Sequence, residues 1–139
     1  MNTLAVILEA PERLALRALG MKPVEAGDVL VVTQKIVSKA EGRWVSLADV
    51  QPGAEAVRLA AVTRKDARLV ELVLRDSTDV VRAVPHVLIV RHRLGLVMAN
   101  AGIDRSNIGA GDAERALLLP LDPDASAARI STALGCPVV

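Results

Sequence analysis

At 139 residues the chain is long enough to close a hydrophobic core without disulfides or a structural metal. It is 52% apolar yet holds no Phe, no Tyr and one Trp, so its core is built from Val, Leu, Ile and Ala. With 17 Lys and Arg against 16 Asp and Glu, and no aromatic platforms for bases, an ordinary nucleic-acid module is excluded.

Cys136 stands alone, so no internal disulfide forms and nothing points to an oxidising compartment. His86 and His92 do not have the spacing of a zinc motif. The N-terminal apolar run, residues 4–8, is broken by Glu9 and Pro11 and has neither the form of a leader nor the length of a membrane span. The expectation is a cytoplasmic protein with no membrane association.

In chain order, residues 4–8 suit a buried strand, and Glu12-Arg13-Leu14-Ala15-Leu16-Arg17-Ala18-Leu19 has helical composition with Gly20 as its stop. Glu25-Ala26-Gly27-Asp28 reads as a turn into Val29-Leu30-Val31-Val32-Thr33. That run is β-branched and continuous, which predicts a central strand covered on both faces. Directly after it come Gln34, Lys35, Ser38 and Lys39. On one helical turn Lys35 and Lys39 share a face, where like charges repel unless an anion lies between them. Phosphate fits, with Ser38 as a further donor; the alternative is a pair of solvated surface lysines. No Gly-rich Walker or Rossmann pattern accompanies them, which excludes a conventional phosphate loop.

Trp44-Val45-Ser46-Leu47 predicts a short strand, and Pro52-Gly53 a turn. Residues 54–76 read as two helices, or one broken near residues 63–66. Leu69, Val70, Val73 and Leu74 form an apolar face there, and Arg64, Lys65, Arg68 and Arg75 the solvated side. Residues 79–84 and 87–91 are strands separated by Pro85-His86, and His92 reads as a solvated turn residue. Gly95-Leu96-Val97-Met98-Ala99 predicts a buried strand that ends in Asn100-Ala101-Gly102-Ile103-Asp104-Arg105-Ser106-Asn107. A strand stopping in a small-residue turn with Asp and Asn is a common way to hold a ligand at a sheet edge. Asp104 is a hard oxygen ligand suited to Mg²⁺ or Mn²⁺, while Ser106 and Asn107 suit a nucleotide or substrate. The alternative is a solvated turn in which Asp104 and Asn107 bond to nearby backbone.

A mobile loop with Gly109, Gly111 and Asp112 follows, then a strand at Leu117-Leu118-Leu119. Asp122-Pro123 starts a helix running to about Leu134 and ending at Gly135. Asp122 and Asp124 are its start residues, with metal binding the alternative. Pro137-Val138-Val139 opens another strand. The fold expected is a single α+β (mixed α/β) domain over residues 1–139, with helices packed on a twisted mixed sheet.

Three of these stretches resemble one family. Residues 27–43 (Gly-Asp-Val-Leu-Val-Val-Thr-Gln-Lys-Ile-Val-Ser-Lys-Ala-Glu-Gly-Arg) are similar to the opening signature of the coenzyme F-420-0:L-glutamate ligases, or gamma-glutamyl ligases. Residues 100–107 match its second signature, and Leu118-Leu119-Pro120-Leu121-Asp122-Pro123-Asp124 its third. Where family members usually carry a Gly-Leu-Pro type turn, this chain has Leu8-Glu9-Ala10-Pro11. The resemblance implies a GTP-dependent ligase that adds L-glutamate to a deazaflavin precursor through a gamma-linked amide, by way of an acyl phosphate. It implies Mg²⁺ or Mn²⁺, with K⁺ as a further cation. By position it makes Asp104 a metal ligand, Lys39 and Asn107 GTP contacts, and Gln34 and Lys35 neighbours of the nucleotide. The likeness covers nearly all of this chain and roughly the first half of a usual family member. Family members form dimers, so the resemblance implies a homodimer, or a partner supplying the C-terminal half with the remaining ligands. The second expectation is a truncated, non-catalytic remnant that binds nucleotide weakly or serves as an assembly partner.

Overall fold

The computed structural model describes residues 25, 27–105 and 114–139. The strand expected at residues 4–8, the helix at residues 12–19, the Gly109 to Asp112 loop, Ser106 and Asn107 lie outside them. The described elements are helix α1 (Gln34–Ala40), strand β1 (Trp44–Ser46), helices α2 (Ala54–Thr63) and α3 (Ala67–Arg75), and strands β2 (Ser77–Val84), β3 (Val87–His92), β4 (Val97–Ala99) and β5 (Arg115–Leu117), followed by helix α4 (Pro123–Leu134). They divide between two compact units, Met1–Arg43 with Pro120–Val139, and Trp44–Leu119. The α+β class is as the sequence predicts, with antiparallel sheets β1–β5 and β2–β3–β4. No described helix is long and apolar enough to cross a membrane.

In the first unit, the turn after Glu25 closes where Asp28 N–H donates to the Glu25 carbonyl at 3.1 Å. The run that follows differs from the expected strand. Leu30 makes a single parallel bridge with Val138, and Leu30 N–H donates to Pro137 O at 2.9 Å. Leu30 and Val138 pack on Ile130, Leu134 and Cys136, but Val29 and Val31 are 57% and 75% exposed. Alternation along extended backbone sends those two valines to the opposite side, where no described element covers them. Among the described residues the run is therefore covered on one side only. Helix α4 begins and ends as predicted: Asp122 accepts the Ala125 N–H at 2.9 Å, and Gly135 closes the helix at φ 71°.

In the second unit, β1 pairs antiparallel with β5, placing Trp44 opposite Leu117 and Ser46 opposite Arg115. Leu47 does not extend β1; it opens a single 3-10 turn and is fully buried. The helical stretch is broken where Arg64 adopts a left-handed φ of 55° and Asp66 caps α3. Val70 and Val73 are fully buried beside the partly buried Leu69 and Leu74, the apolar face read from the sequence. That face packs with Leu47, Leu59, Leu88 and Val90 into one core. Burying each such side chain contributes roughly 1.5–3 kcal/mol, which is how a core without Phe or Tyr suffices.

Two expectations here are corrected. Only Val97–Ala99 of the stretch before Asn100 is strand, and Leu96 and Val97 are each 52% exposed. Paired among the described residues with β3 alone, β4 exposes alternate residues instead of being buried. His92 is not a solvated turn residue. Strand β3 runs one residue further than predicted, so His92 points inward with Leu88 and Val90 and is fully buried. Its Nδ1 accepts the Leu94 N–H at 3.0 Å, and its Nε2 lies 3.8 Å from Asp76 Oδ2.

Candidate functional site

The first candidate stretch is α1, in the unit that contains residues 34–43. A seven-residue helix is marginal in isolation, so tertiary contacts must hold it. Val37 and Ser38 are buried, and Gln34 Nε2 donates to Ser38 Oγ at 2.7 Å, one turn along. The helix stops where Gly42 takes φ 64° and Arg43 N–H donates to the Ser38 carbonyl at 2.9 Å. Lys35 and Lys39 lie four residues apart on this helix, both half-buried, and Lys39 makes no ion pair among the described residues. Just past the helix, Glu41 accepts the Leu121 N–H at 3.0 Å and the Ser126 hydroxyl at 2.5 Å, tying the end of α1 to the start of α4. The hydrogen bond from Gln34 to Ser38 means that a ligand recruiting Ser38 has to exchange that contact. A half-buried ammonium beside backbone that cannot shift freely is suited to a phosphate oxygen.

The second stretch is the Asp104 turn, in the unit Trp44–Leu119. Asn100, Ala101 and Gly102 all adopt positive φ, at 51°, 53° and 69°, and Ile103 N–H closes the turn onto the Asn100 carbonyl at 3.0 Å. Ala101 is fully buried. A non-glycine residue held left-handed is strained by roughly 1–2 kcal/mol, and such strain clusters at functional sites. Asn100 Oδ1 is buried with no hydrogen-bond partner among the described residues, which adds about 1–3 kcal/mol more. The chain then straightens, and Asp104 pairs with Leu117 through two backbone hydrogen bonds of 3.0 and 2.9 Å. The carboxylate is thus carried on a backbone fixed to β5, and Asp104 itself is half-buried.

The position of Glu114 is also fixed. Leu47 N–H donates to the Glu114 carbonyl at 2.6 Å, and Arg68 Nη1 reaches Glu114 Oε2 at 2.7 Å. Arg68 also binds Asp66, whose carboxyl accepts the Arg68 backbone N–H at 2.9 Å and Nη2 at 2.8 Å. The Arg68 side chain, foremost, holds the Asp66 carboxyl below its ordinary value. A lowered folded-state pKa means this stabilisation is complete above the unfolded-state pKa and is lost as pH falls through the folded one. Asp66→Ala is therefore expected to lose about 1–2 kcal/mol near neutral pH, with the gap to wild type narrowing below about pH 4. Urea unfolding across a pH series measures this; a gap that stays constant into acid contradicts it.

Of the residues predicted from sequence, the structure gathers Gln34, Lys35 and Lys39 on one helix and sets Asp104 on the sheet-anchored turn. Asn107 lies outside the described residues. The sequence reading gave no role to Glu41, Asn100 or Gly102. An Asn and a Gly bracketing one residue ahead of an Asp is a signal for left-handed backbone that was open to reading. Among the described residues no three His, Cys, Asp or Glu side chains gather where they could hold a metal ion. Mg²⁺ or Mn²⁺ takes about six oxygens, several of them from water and phosphate, so one carboxylate such as Asp104 contributes only part of such a site.

A family profile described as F-420-0:Gamma-glutamyl ligase matches residues 7–136. A coenzyme F-420:L-glutamate ligase of Methanopyrus kandleri is 45% identical over 104 residues, covering 75% of this chain and 40% of that protein. The protein of the same name from Methanothermobacter thermautotrophicus is 44% identical over 104 residues, with the same shares. That from Natronomonas pharaonis is 47% identical over 119 residues, 81% of this chain and 46% of the relative. The chain thus spans less than half the length of these curated relatives. With a profile match across nearly its whole length, it belongs to the F-420-0:gamma-glutamyl ligase family.

Proposed function

We propose that the chain is part of a GTP-dependent ligase that joins L-glutamate to a deazaflavin precursor of coenzyme F-420 through a gamma-linked amide. The observation that carries this reading is the family match, which spans Gln34, Lys35, Lys39, Asp104 and Asn107 together. In the reaction, a substrate carboxylate oxygen attacks the γ-phosphorus of GTP and GDP leaves. The glutamate amine then attacks the acyl carbon, phosphate departs with the C–O bond, and the amine gives up a proton. Little covalent work falls to the protein; it must position the reactants and offset charge. Lys39, with Gln34 and Lys35, contacts the phosphates, and Asn107 contacts the nucleotide. Asp104 supplies one oxygen to Mg²⁺ or Mn²⁺, the other ligands coming from beyond the described residues, with K⁺ as an accessory cation. The active form is a homodimer, or an assembly with a partner that supplies the part of the relatives this chain does not span.

The test is complementation. The chain, mixed with a polypeptide covering the rest of the Methanopyrus kandleri relative, is given GTP, Mn²⁺, L-glutamate and the deazaflavin precursor, and the product is weighed by mass spectrometry. Addition of glutamate only when both polypeptides are present is the expected result. Failure with a folded chain and with a partner shown to bind it favours the second reading, a non-catalytic remnant or assembly partner. That reading draws on the 40–46% coverage of the relatives.

A further inference from the structure

An open cavity of about 440 Å³ lies in the first unit, beside the end of α1 and the start of α4. Glu41, Arg43, Asp122, Ser126 and Arg129 line it. Its wall begins at Glu41, two residues past Lys39, the side chain assigned above to the phosphates of GTP. Glu41 gives its oxygens to neutral donors, the Leu121 N–H at 3.0 Å and the Ser126 hydroxyl at 2.5 Å. Asp122 commits Oδ1 to the Ala125 N–H at 2.9 Å, which leaves Oδ2 for a further donor. Glu41, Asp122 and Arg129 make no ion pair among the described residues, so these charges face the cavity without cancelling one another.

Two guanidiniums and two carboxylates around one cavity restrict what it can hold. A simple anion such as phosphate gains from Arg43 and Arg129 but is repelled by Glu41 and Asp122, and a simple cation meets the reverse. A zwitterion satisfies both signs. A guanidinium takes a carboxylate through two parallel N–H donors, and a carboxylate oxygen takes an ammonium. Near neutral pH an α-amino acid is a zwitterion, and one with an acidic side chain brings a second carboxylate for the second guanidinium.

We propose that this cavity binds the amino-acid substrate, L-glutamate, with its two carboxylates on Arg43 and Arg129 and its ammonium on Asp122 Oδ2. The choice of L-glutamate rests on the ligase reading above; the mixed charge of the wall does not. Glu41 keeps its two neutral hydrogen bonds and ties the α1 side of the cavity to the α4 side.

The test is equilibrium dialysis of radiolabelled L-glutamate against the folded chain, with glutarate, which lacks the amine, and inorganic phosphate as competitors. Saturable uptake is expected, with glutarate and phosphate at least about tenfold weaker than L-glutamate. Arg129→Gln is expected to weaken L-glutamate and glutarate alike, by about tenfold. Asp122→Asn keeps a capping side chain and is expected to weaken L-glutamate alone, closing its advantage over glutarate. Arg129 and Asp122 are exposed, so both variants are expected to fold, which circular dichroism checks. A folded chain that takes up no L-glutamate overturns the inference, as does one that binds glutarate or phosphate equally well. The dialysis needs neither GTP nor turnover, which keeps it apart from the complementation assay. Ligation by the assembled pair with the KM for L-glutamate unchanged in Arg129→Gln overturns this site and leaves the ligase reading standing. Uptake that follows the predicted pattern without any ligation supports the site and counts against the ligase reading.

Discussion

Replacing Gly102 with alanine is expected to destabilise the second unit by about 3 kcal/mol, well beyond an ordinary glycine substitution. Two effects add. Gly102 sits at φ 69°, where a β-carbon costs roughly 1–2 kcal/mol. A β-carbon there would also lie 3.0 Å from Leu119 Cδ2 and Cγ, and Leu119 is itself 7% exposed and has little room to yield. Overpacking of this kind adds about 1–3 kcal/mol. Gly95 is the internal comparison: its φ is 86°, yet nothing lies within 4 Å of a β-carbon built on it. Gly95→Ala should therefore show only the backbone effect, about 1–2 kcal/mol. Urea unfolding midpoints for the two variants, at unchanged slope, measure the difference. Equal losses would mean that Leu119 does not close on the Asp104 turn as described.

Asp104→Ala is expected to separate binding from folding. Its backbone hydrogen bonds to Leu117 do not involve the side chain, so the pairing with β5 is expected to survive the change, which circular dichroism checks. On the proposed function the same change removes a metal oxygen, and Mn²⁺-dependent GTP affinity should fall about 100-fold. Lys39→Ala removes one charged phosphate contact and should weaken GTP about tenfold while leaving the Mn²⁺ requirement in place. The contrast between the two variants is the diagnostic feature. Equal losses with and without Mn²⁺ for Asp104→Ala would count against a metal role for it.

The elements that the sequence foretold well are those with local causes. Asp122, Pro123 and Gly135 carry the start and stop of α4 within their own chemistry, and the structure places both there. The apolar spacing from Leu69 to Leu74 likewise forecast which face of α3 is buried. The misses depend on what lies across from a strand. Apolar runs at residues 29–33 and 95–99 look the same whether two faces are covered or one, and only the tertiary structure shows Val31 and Val97 exposed. His92 was misread because strand ends are soft in sequence. One further residue of β3 turned a polar turn position into a buried one. At the candidate site, the residue types of Lys39 and Asp104 were legible. In the left-handed turn before Asp104, Asn100 and Gly102 signal positive φ, but Ala101 does not and is held there by its surroundings.

The most direct measurement of the central claim is calorimetric titration of the folded chain, mixed with the polypeptide covering the rest of the Methanopyrus kandleri relative, with GTP in the presence and absence of Mn²⁺. The account predicts GTP binding that requires Mn²⁺ and that Asp104→Ala weakens about 100-fold. A folded, assembled pair that takes up no GTP with Mn²⁺ present, or that binds it equally well without the metal, would contradict that claim.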